Sequence, residues 1–202
     1  MFDFFRRAQL KCLALSFGYG LRHHSTWPLK IGDTVLIFSP NNLAWPVVLF
    51  GSVAAGLRCT LANSAYTSRE LAYQYVDSGA SVVLSSEDGL DIVRSMFREL
   101  GVGKEEGDKR IIVMGNGLEW AGGPEAPRRP EAAGLLRMEH LLQKGTLKEE
   151  VKVVGDQARE TVYLCYSSGT TGKPKGVEVN SQLLSRVDQL SPNSANRQPT
   201  KT

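Results

Sequence analysis

Cysteine is scarce in this 202-residue chain: Cys12, Cys59 and Cys165 are the only three. They are odd in number and far apart, and no CxxC pair exists, so the plain reading is free thiols in a reducing compartment. Histidine is equally scarce. His23 and His24 are neighbours and His140 is remote. Adjacent residues rarely turn both rings toward one ion, and no clear third ligand exists, so no metal site is expected. His23 and His24 follow a predicted helix end, where cations suit the helix dipole. No apolar run approaches the ~20 residues that cross a bilayer. The net charge of +3 is mild and dispersed, which excludes the basic footprint of a nucleic-acid partner. No internal repeat is present.

What is there suits one sizeable soluble core with a tail: 42% of residues are hydrophobic and 22% charged. The opening "MFDFFRRAQLKCLALSFGYGL" has arginines before an apolar run, as a signal peptide does. Lys11 interrupts the run and no small-residue cleavage site follows. Helical spacing fits better. Phe4, Phe5, Ala8, Leu10, Leu13, Leu15 and Phe17 share a broad apolar face, with Arg6, Arg7 and Lys11 elsewhere.

Strand and helix signals then alternate. Thr34–Phe38 is a short apolar run bounded by turn residues, which predicts a buried strand. Asn41 or Asn42 can cap the next helix, whose small residues Gly51, Ser52, Ala54, Ala55 and Gly56 suit close packing on a sheet. Arg58–Leu61 is a strand. "TSRE" at Thr67–Glu70 is a capping box opening a helix to about Asp77. Ser81–Ser85 is a strand, a helix ends before Gly101, and Arg110–Gly115 is a further strand. "KEEGDKR" at Lys104–Arg110 mixes both signs and reads as a solvated loop. Gly115–Gly134 is rich in Gly and Pro and predicts a long surface loop. A short helix follows in "LLRMEHLLQKG", then the strand "TVYLCY" at Thr161–Tyr166. The alternation predicts an α/β fold with a mostly parallel, helix-covered sheet.

The densest chemistry follows directly. Ser167–Gly176 holds four hydroxyls (Ser167, Ser168, Thr170, Thr171), three glycines (Gly169, Gly172, Gly176) and two lysines (Lys173, Lys175). The glycines allow positive φ and close approach to a ligand. Successive N–H groups can form a nest for an anion. Pro174 stiffens the loop between the lysines. Hydroxyl donors with a lysine at the end suit phosphate oxygens; a flexible hydroxyl-rich hairpin is the plainer alternative. The loop is not a Walker A sequence, because Gly169 and Gly172 are three apart and Pro174, not Ser or Thr, follows Lys173. Nor does it fit the kinase glycine loop.

"YSSGTTGKPKGV" resembles, at every restricted position, the phosphate-binding signature of the adenylate-forming enzymes: acyl-CoA synthetases, 4-coumarate–CoA ligases, luciferases and peptide-synthetase adenylation domains. Val35–Ser86 is similar to the same family's N-terminal stretch, and the resemblance runs from about Phe2 to Val179. The branch it resembles most is the 4-coumarate–CoA ligase-like acyl-CoA synthetases. The resemblance implies a two-step ligase using ATP with Mg2+, a carboxylic acid and coenzyme A. It implies that Ser168, Gly169, Thr170, Thr171 and Gly172 cradle the β- and γ-phosphates and that Lys175 neutralises them. Ser167 and Gly176 frame the loop, and Lys173 occupies a variable position. No catalytic residue and no metal ligand is assigned.

The family's acyl pocket, adenine segment, magnesium-binding acid and C-terminal lysine lie downstream of its phosphate loop, and nothing after Val179 matches them. Asn180-Ser181 stands where the family has a Ser/Thr-His pair. The expectation is residues 1–179 as an incomplete N-terminal part of the adenylate-forming large domain. Residues 180–202 are expected to be a divergent, disordered tail. By itself the chain is expected to lack turnover. The alternative is a non-catalytic relative that binds phosphate weakly or acts through protein contacts. The expected compartment is the cytoplasm, or the peroxisome for a longer product with its own C-terminal address.

Overall fold

The structure is a computed structural model, and it describes residues 7–115, 117–152, 160–167 and 174–180. Phe4, Phe5 and Arg6, the loop segment 168–173 and the polar tail after Asn180 lie outside the described residues. One seven-stranded sheet carries the fold: β1 (Thr34–Phe38), β2 (Arg58–Ala62), β3 (Ala80–Ser86), β4 (Ile111–Met114), β5 (Leu136–Arg137), β6 (Thr161–Ser167) and β7 (Lys175–Asn180). Their order is β5-β4-β3-β1-β2-β6-β7, and only the β6–β7 pair is antiparallel. Six helices accompany them among the described residues: α1 (Arg7–Arg22), α2 (Trp45–Ala54), α3 (Ser68–Asp77), α4 (Leu90–Glu99), α5 (Lys104–Asp108) and α6 (Met138–Leu142).

The central strands read as unbroken apolar runs because helices cover both faces of the sheet. Alternate side chains divide between the two faces. Val35, Ile37, Leu84, Ile112 and Met114 join Phe17, Leu21, Val47 and Leu141, which come from α1, α2 and α6. Leu36, Phe38, Val83, Ile111 and Val113 join Leu71, Tyr75, Val93, Met96 and Phe97 from α3 and α4. Local chemistry fixes the helix starts. The Thr67 hydroxyl accepts from the Glu70 N–H, and the Glu70 carboxylate accepts from the Thr67 N–H at 2.8 Å, which completes the capping box. Asn42 Oδ1 accepts from the Trp45 N–H at 3.0 Å as α2 begins.

Four expectations change in detail. In α1 the buried residues are Ala14, Phe17, Gly18, Gly20 and Leu21, while Ala8 is exposed. The helix turns its glycines inward because it crosses its neighbours closely. Gly51 packs on α1 rather than on the sheet: a Cβ there would sit 2.7 Å from the Ala14 carbonyl oxygen. Lys104–Asp108 is helical rather than a loop. Its charges pair along the helix, Lys104 with Asp108 and Arg110 with Glu106, and Asp108 also accepts from Arg94 at 2.8 Å. Burial pushes the Asp108 carboxyl up, but the hydrogen bonds from Arg94 and Lys104 outweigh it and hold the group below its ordinary value. Finally, the segment before α6 contains β5, a two-residue strand on β4.

The histidines serve local packing. His23 stacks on Tyr19 and His24 on Trp27. Burial, then the charge of Lys144, holds His24 below its ordinary value; α1 ends at Arg22, which is the basic residue of its last turn.

The thiols divide by exposure. Cys59 is fully buried on β2, and burial pushes its thiol up to about 12, with the Ser52 hydrogen bond opposing; Cys12 and Cys165 are exposed. A thiol reagent at neutral pH should therefore label Cys12 and Cys165 in the native chain and Cys59 only after unfolding. Mass spectrometry of the labelled peptides checks this, and fast native labelling of Cys59 would contradict the placement of β2.

Candidate functional site

The site begins with β6. Val162 and Leu164 are buried, whereas Cys165 and Ser167 are exposed, so the strand leaves the core as it runs toward its carboxyl end. β6 lies parallel to β2 through Cys59↔Tyr163, Thr60↔Leu164 and Leu61↔Cys165. A buried polar chain fixes it there. Gln74 of α3 donates to the Thr60 hydroxyl at 2.7 Å, and that hydroxyl donates to the Leu164 carbonyl at 3.3 Å. Both side chains are buried, so each bond shields groups that would otherwise be costly to desolvate.

β7 returns antiparallel, with Ser167↔Lys175 and Tyr166↔Gly176 as register pairs and Thr161 donating to Glu178 at 2.6 Å. Residues 168–174 therefore connect two ends that are held face to face. They do so at the carboxyl end of a parallel strand, the side of an open α/β sheet where ligands gather. The strand order also reverses between β1 and β3, and Gly89 packs closely just after β3. A Cβ on Gly89 would meet Ser85 Oγ at 2.7 Å and Phe38 Cδ1 at 2.9 Å.

Three sequence-predicted residues are described: Ser167, Lys175 and Gly176. Ser167 and Lys175 come together at the loop mouth, both exposed, and Lys175 has no ion-pair partner among the described residues. Ser168, Gly169, Thr170, Thr171, Gly172 and Lys173 lie outside the described residues. Gly176 needs a correction. It is not among the positive-φ glycines but sits in β7, where its missing side chain makes room for Tyr166. A Cβ there would lie 3.1 Å from Cζ of that ring.

Sequence reasoning missed a buried charge cluster beyond β3. Arg137 donates to Glu87 Oε1 at 2.9 Å, Glu87 Oε2 accepts from the Arg129 N–H at 2.9 Å, and Arg137 Nε stands 3.5 Å from Glu139. It ties the Gly115–Gly134 loop to the sheet. Only a long-range contact map could have found it, since Glu87 and Arg137 are 50 residues apart. A cavity of about 420 Å³ lies beside the amino ends of β1, β2 and β6, lined by Gly32, Arg58, Thr161 and their neighbours. That is the opposite end of the sheet from the loop. Among the described residues no group of three His, Cys, Asp or Glu side chains is placed to hold a metal, and no helix is long and apolar enough to cross a membrane.

Comparison with known proteins adds to this geometry. The family model described as AMP-binding enzyme matches residues 7–197. A long-chain-fatty-acid–CoA ligase of Salmonella typhimurium is 30% identical over 180 residues, covering 80% of this chain and 30% of its own length. The 4-coumarate–CoA ligase 5 of Oryza sativa subsp. japonica is 34% identical over 160 residues, covering 79% of this chain and 25% of its own. Among solved structures, an anthranilate–CoA ligase in complex with anthranoyl-AMP superimposes with a TM-score of 0.71 at 22% identity. It covers 91% of this chain and 31% of its own. A benzoate–CoA ligase from Burkholderia xenovorans LB400 gives a TM-score of 0.67 at 20% identity, with the same two coverages of 91% and 31%. These two likenesses speak for the fold. The chain spans about a quarter to a third of the length of the curated relatives it matches.

Proposed function

The chain belongs to the AMP-binding enzyme family, and on that premise we propose that its β6–β7 hairpin holds the phosphates of ATP during adenylation of a carboxylic acid. The observation that carries this reading is the pairing of Ser167 with Lys175 across the loop mouth. It brings the ends of the hydroxyl-rich, glycine-rich segment together at the carboxyl end of a parallel strand.

The chemistry follows from what leaves. A carboxylate oxygen bonds to the α-phosphorus, the bond from that phosphorus to the bridging oxygen breaks, and pyrophosphate departs with the added negative charge. The loop's N–H and hydroxyl groups and the Lys175 ammonium are of the kind that stabilises such charge, most effectively where donors need not reorganise. Ser168, Gly169, Thr170, Thr171 and Gly172 form the cradle, with Lys173 contributing less. In the second step a thiol, that of coenzyme A, attacks the acyl carbon and displaces AMP. The names of the curated relatives, fatty-acid and coumarate–CoA ligases, support an acid–thiol ligase. Magnesium bound to the nucleotide would neutralise phosphate oxygens; its ligand is assigned to none of the described residues.

These 202 residues are assigned the holding of phosphate and not turnover by themselves. Alignment of a carboxylate with the α-phosphate, worth ~7–11 kcal/mol in well-oriented cases, is assigned to segments that the relatives carry beyond the matched third. We likewise assign residues 1–179 to the partial adenylation domain and 180–202 to a divergent tail.

Thermal denaturation with pyrophosphate tests the reading. At a hundredfold excess over the dissociation constant the wild-type chain should gain about 2.7 kcal/mol, and Lys175→Ala should lose most of that gain without losing its fold. A wild-type chain whose melting is indifferent to both pyrophosphate and ATP would contradict it.

A further inference from the structure

A loop of seven residues presents its donors in one place only if both ends are held. β7 holds one end weakly: it is the outer strand of the sheet, and Lys175, Gly176, Val177 and Glu178 are all exposed. Tyr166, the residue before Ser167, supplies what the ladder lacks. Its ring lies on Gly176, its register partner in β7. A glycine inside a strand offers no side chain to pack, and a cross-strand aromatic laid over it restores that contact. The same side chain also reaches out of the hairpin. Its hydroxyl donates to Asp77 Oδ2 at 2.6 Å, across 89 residues of sequence. Asp77 is the last residue of α3, and α3 is itself immobilised by its capping box and by buried Leu71, Gln74 and Tyr75. Burial first, and then Asp77, hold the phenol above its ordinary value, so it remains a donor at neutral pH.

We propose that Tyr166 is a positioning residue: by bonding Asp77 and covering Gly176 it locks the base of the β6–β7 hairpin to α3. It thereby sets where Lys175 and the loop meet phosphate. The proposal rests on the phosphate reading given above. Tyr166 touches no reacting atom in this scheme; it acts through the strand ends it joins.

Two conservative variants test it, Tyr166→Phe, which keeps the ring, and Asp77→Asn, together with their double. Amide hydrogen exchange is measured over peptides spanning 161–180, with peptides of β1 and β3 as internal reference. Pyrophosphate affinity is measured by calorimetry on the same samples. Each single variant should speed exchange in the hairpin and leave the reference unchanged. Each should also weaken pyrophosphate about fivefold, the size expected for one hydrogen bond. The double variant should be no worse than either single one, because both remove the same bond. Additive losses, or hairpin exchange unchanged in both variants, would overturn the tether. Wild-type binding that both variants keep in full would overturn the positioning role while leaving the phosphate reading intact. No binding by the wild type would overturn the phosphate reading, and the positioning role with it.

Discussion

Arg137→Met is expected to destabilise the chain by about 3–5 kcal/mol, the usual cost of stripping one partner from a buried ion pair. Glu87 is 1% exposed and Arg137 8%. Removing the guanidinium leaves the Glu87 carboxylate in the protein interior with the Arg129 N–H facing it, and removes the charge that stands 3.5 Å from Glu139. For a domain of this size the melting temperature should fall by roughly 6–20 °C. The double variant Glu87→Met, Arg137→Met should recover much of the loss, since an apolar pair can replace a buried salt bridge at little cost. Recovery should be incomplete, because the Arg129 N–H then loses its acceptor. Denaturant melts of the wild type and the two variants check this. A cost below about 1 kcal/mol, typical of an exposed pair, would show that water reaches the cluster.

Gly20→Val should be the second large effect, a loss of about 2–3 kcal/mol from overpacking. A Cβ at Gly20 would stand 2.5 Å from the Leu141 carbonyl oxygen, 2.6 Å from Leu141 Cβ and 2.8 Å from its Cα. Those atoms belong to a fully buried residue of α6 and cannot swing aside. The two helices must separate, and α1 then lifts from the face of the sheet that Phe17 and Leu21 cover. Gly20→Ala places only the Cβ there and gains about 0.8–1.0 kcal/mol of helix propensity, so its net loss should be smaller. Equal stability of Gly20→Val and wild type would mean that α1 does not cross α6 at contact distance.

Much of the fold was legible because its signals are local. The capping box at Thr67–Glu70 needs four consecutive residues, and it formed as read. The runs at Thr34–Phe38 and Arg110–Gly115, the second forming β4 at Ile111–Met114, announced strands because burial on both faces demands continuous apolar side chains. β5 escaped because two residues carry no periodicity and run straight into α6. Lys104–Asp108 escaped because alternating charge suits a loop as well as a short helix. The pairs four apart became visible only with Arg94 beside them. The reason for the glycines of α1, close crossings with Leu141 and Gly51, lies in other elements.

The candidate site divides in the same way. Its donors stand in one short string, so residue type and spacing sufficed to propose phosphate. Its supports do not. Gln74 reaches Thr60 and Tyr166 reaches Asp77 only after the chain has folded, and no pattern in the sequence joins residues 89 apart. Gly176 shows how a glycine in a loop motif can be read for the wrong reason: it makes room for the ring of Tyr166 and does not take a positive φ.

The most direct test of the central claim is lysine footprinting of the full chain with and without pyrophosphate, read residue by residue by mass spectrometry. Lys175 is exposed and has no ion-pair partner among the described residues, whereas Lys104, with 77% of its side chain exposed, is far along the chain on α5. If the hairpin holds phosphate, acetylation of Lys175 should slow several-fold with pyrophosphate, Lys173 should slow less, and Lys104 should react as before. Equal reactivity of Lys175 in both conditions, or slowing spread evenly over the surface lysines, would contradict it.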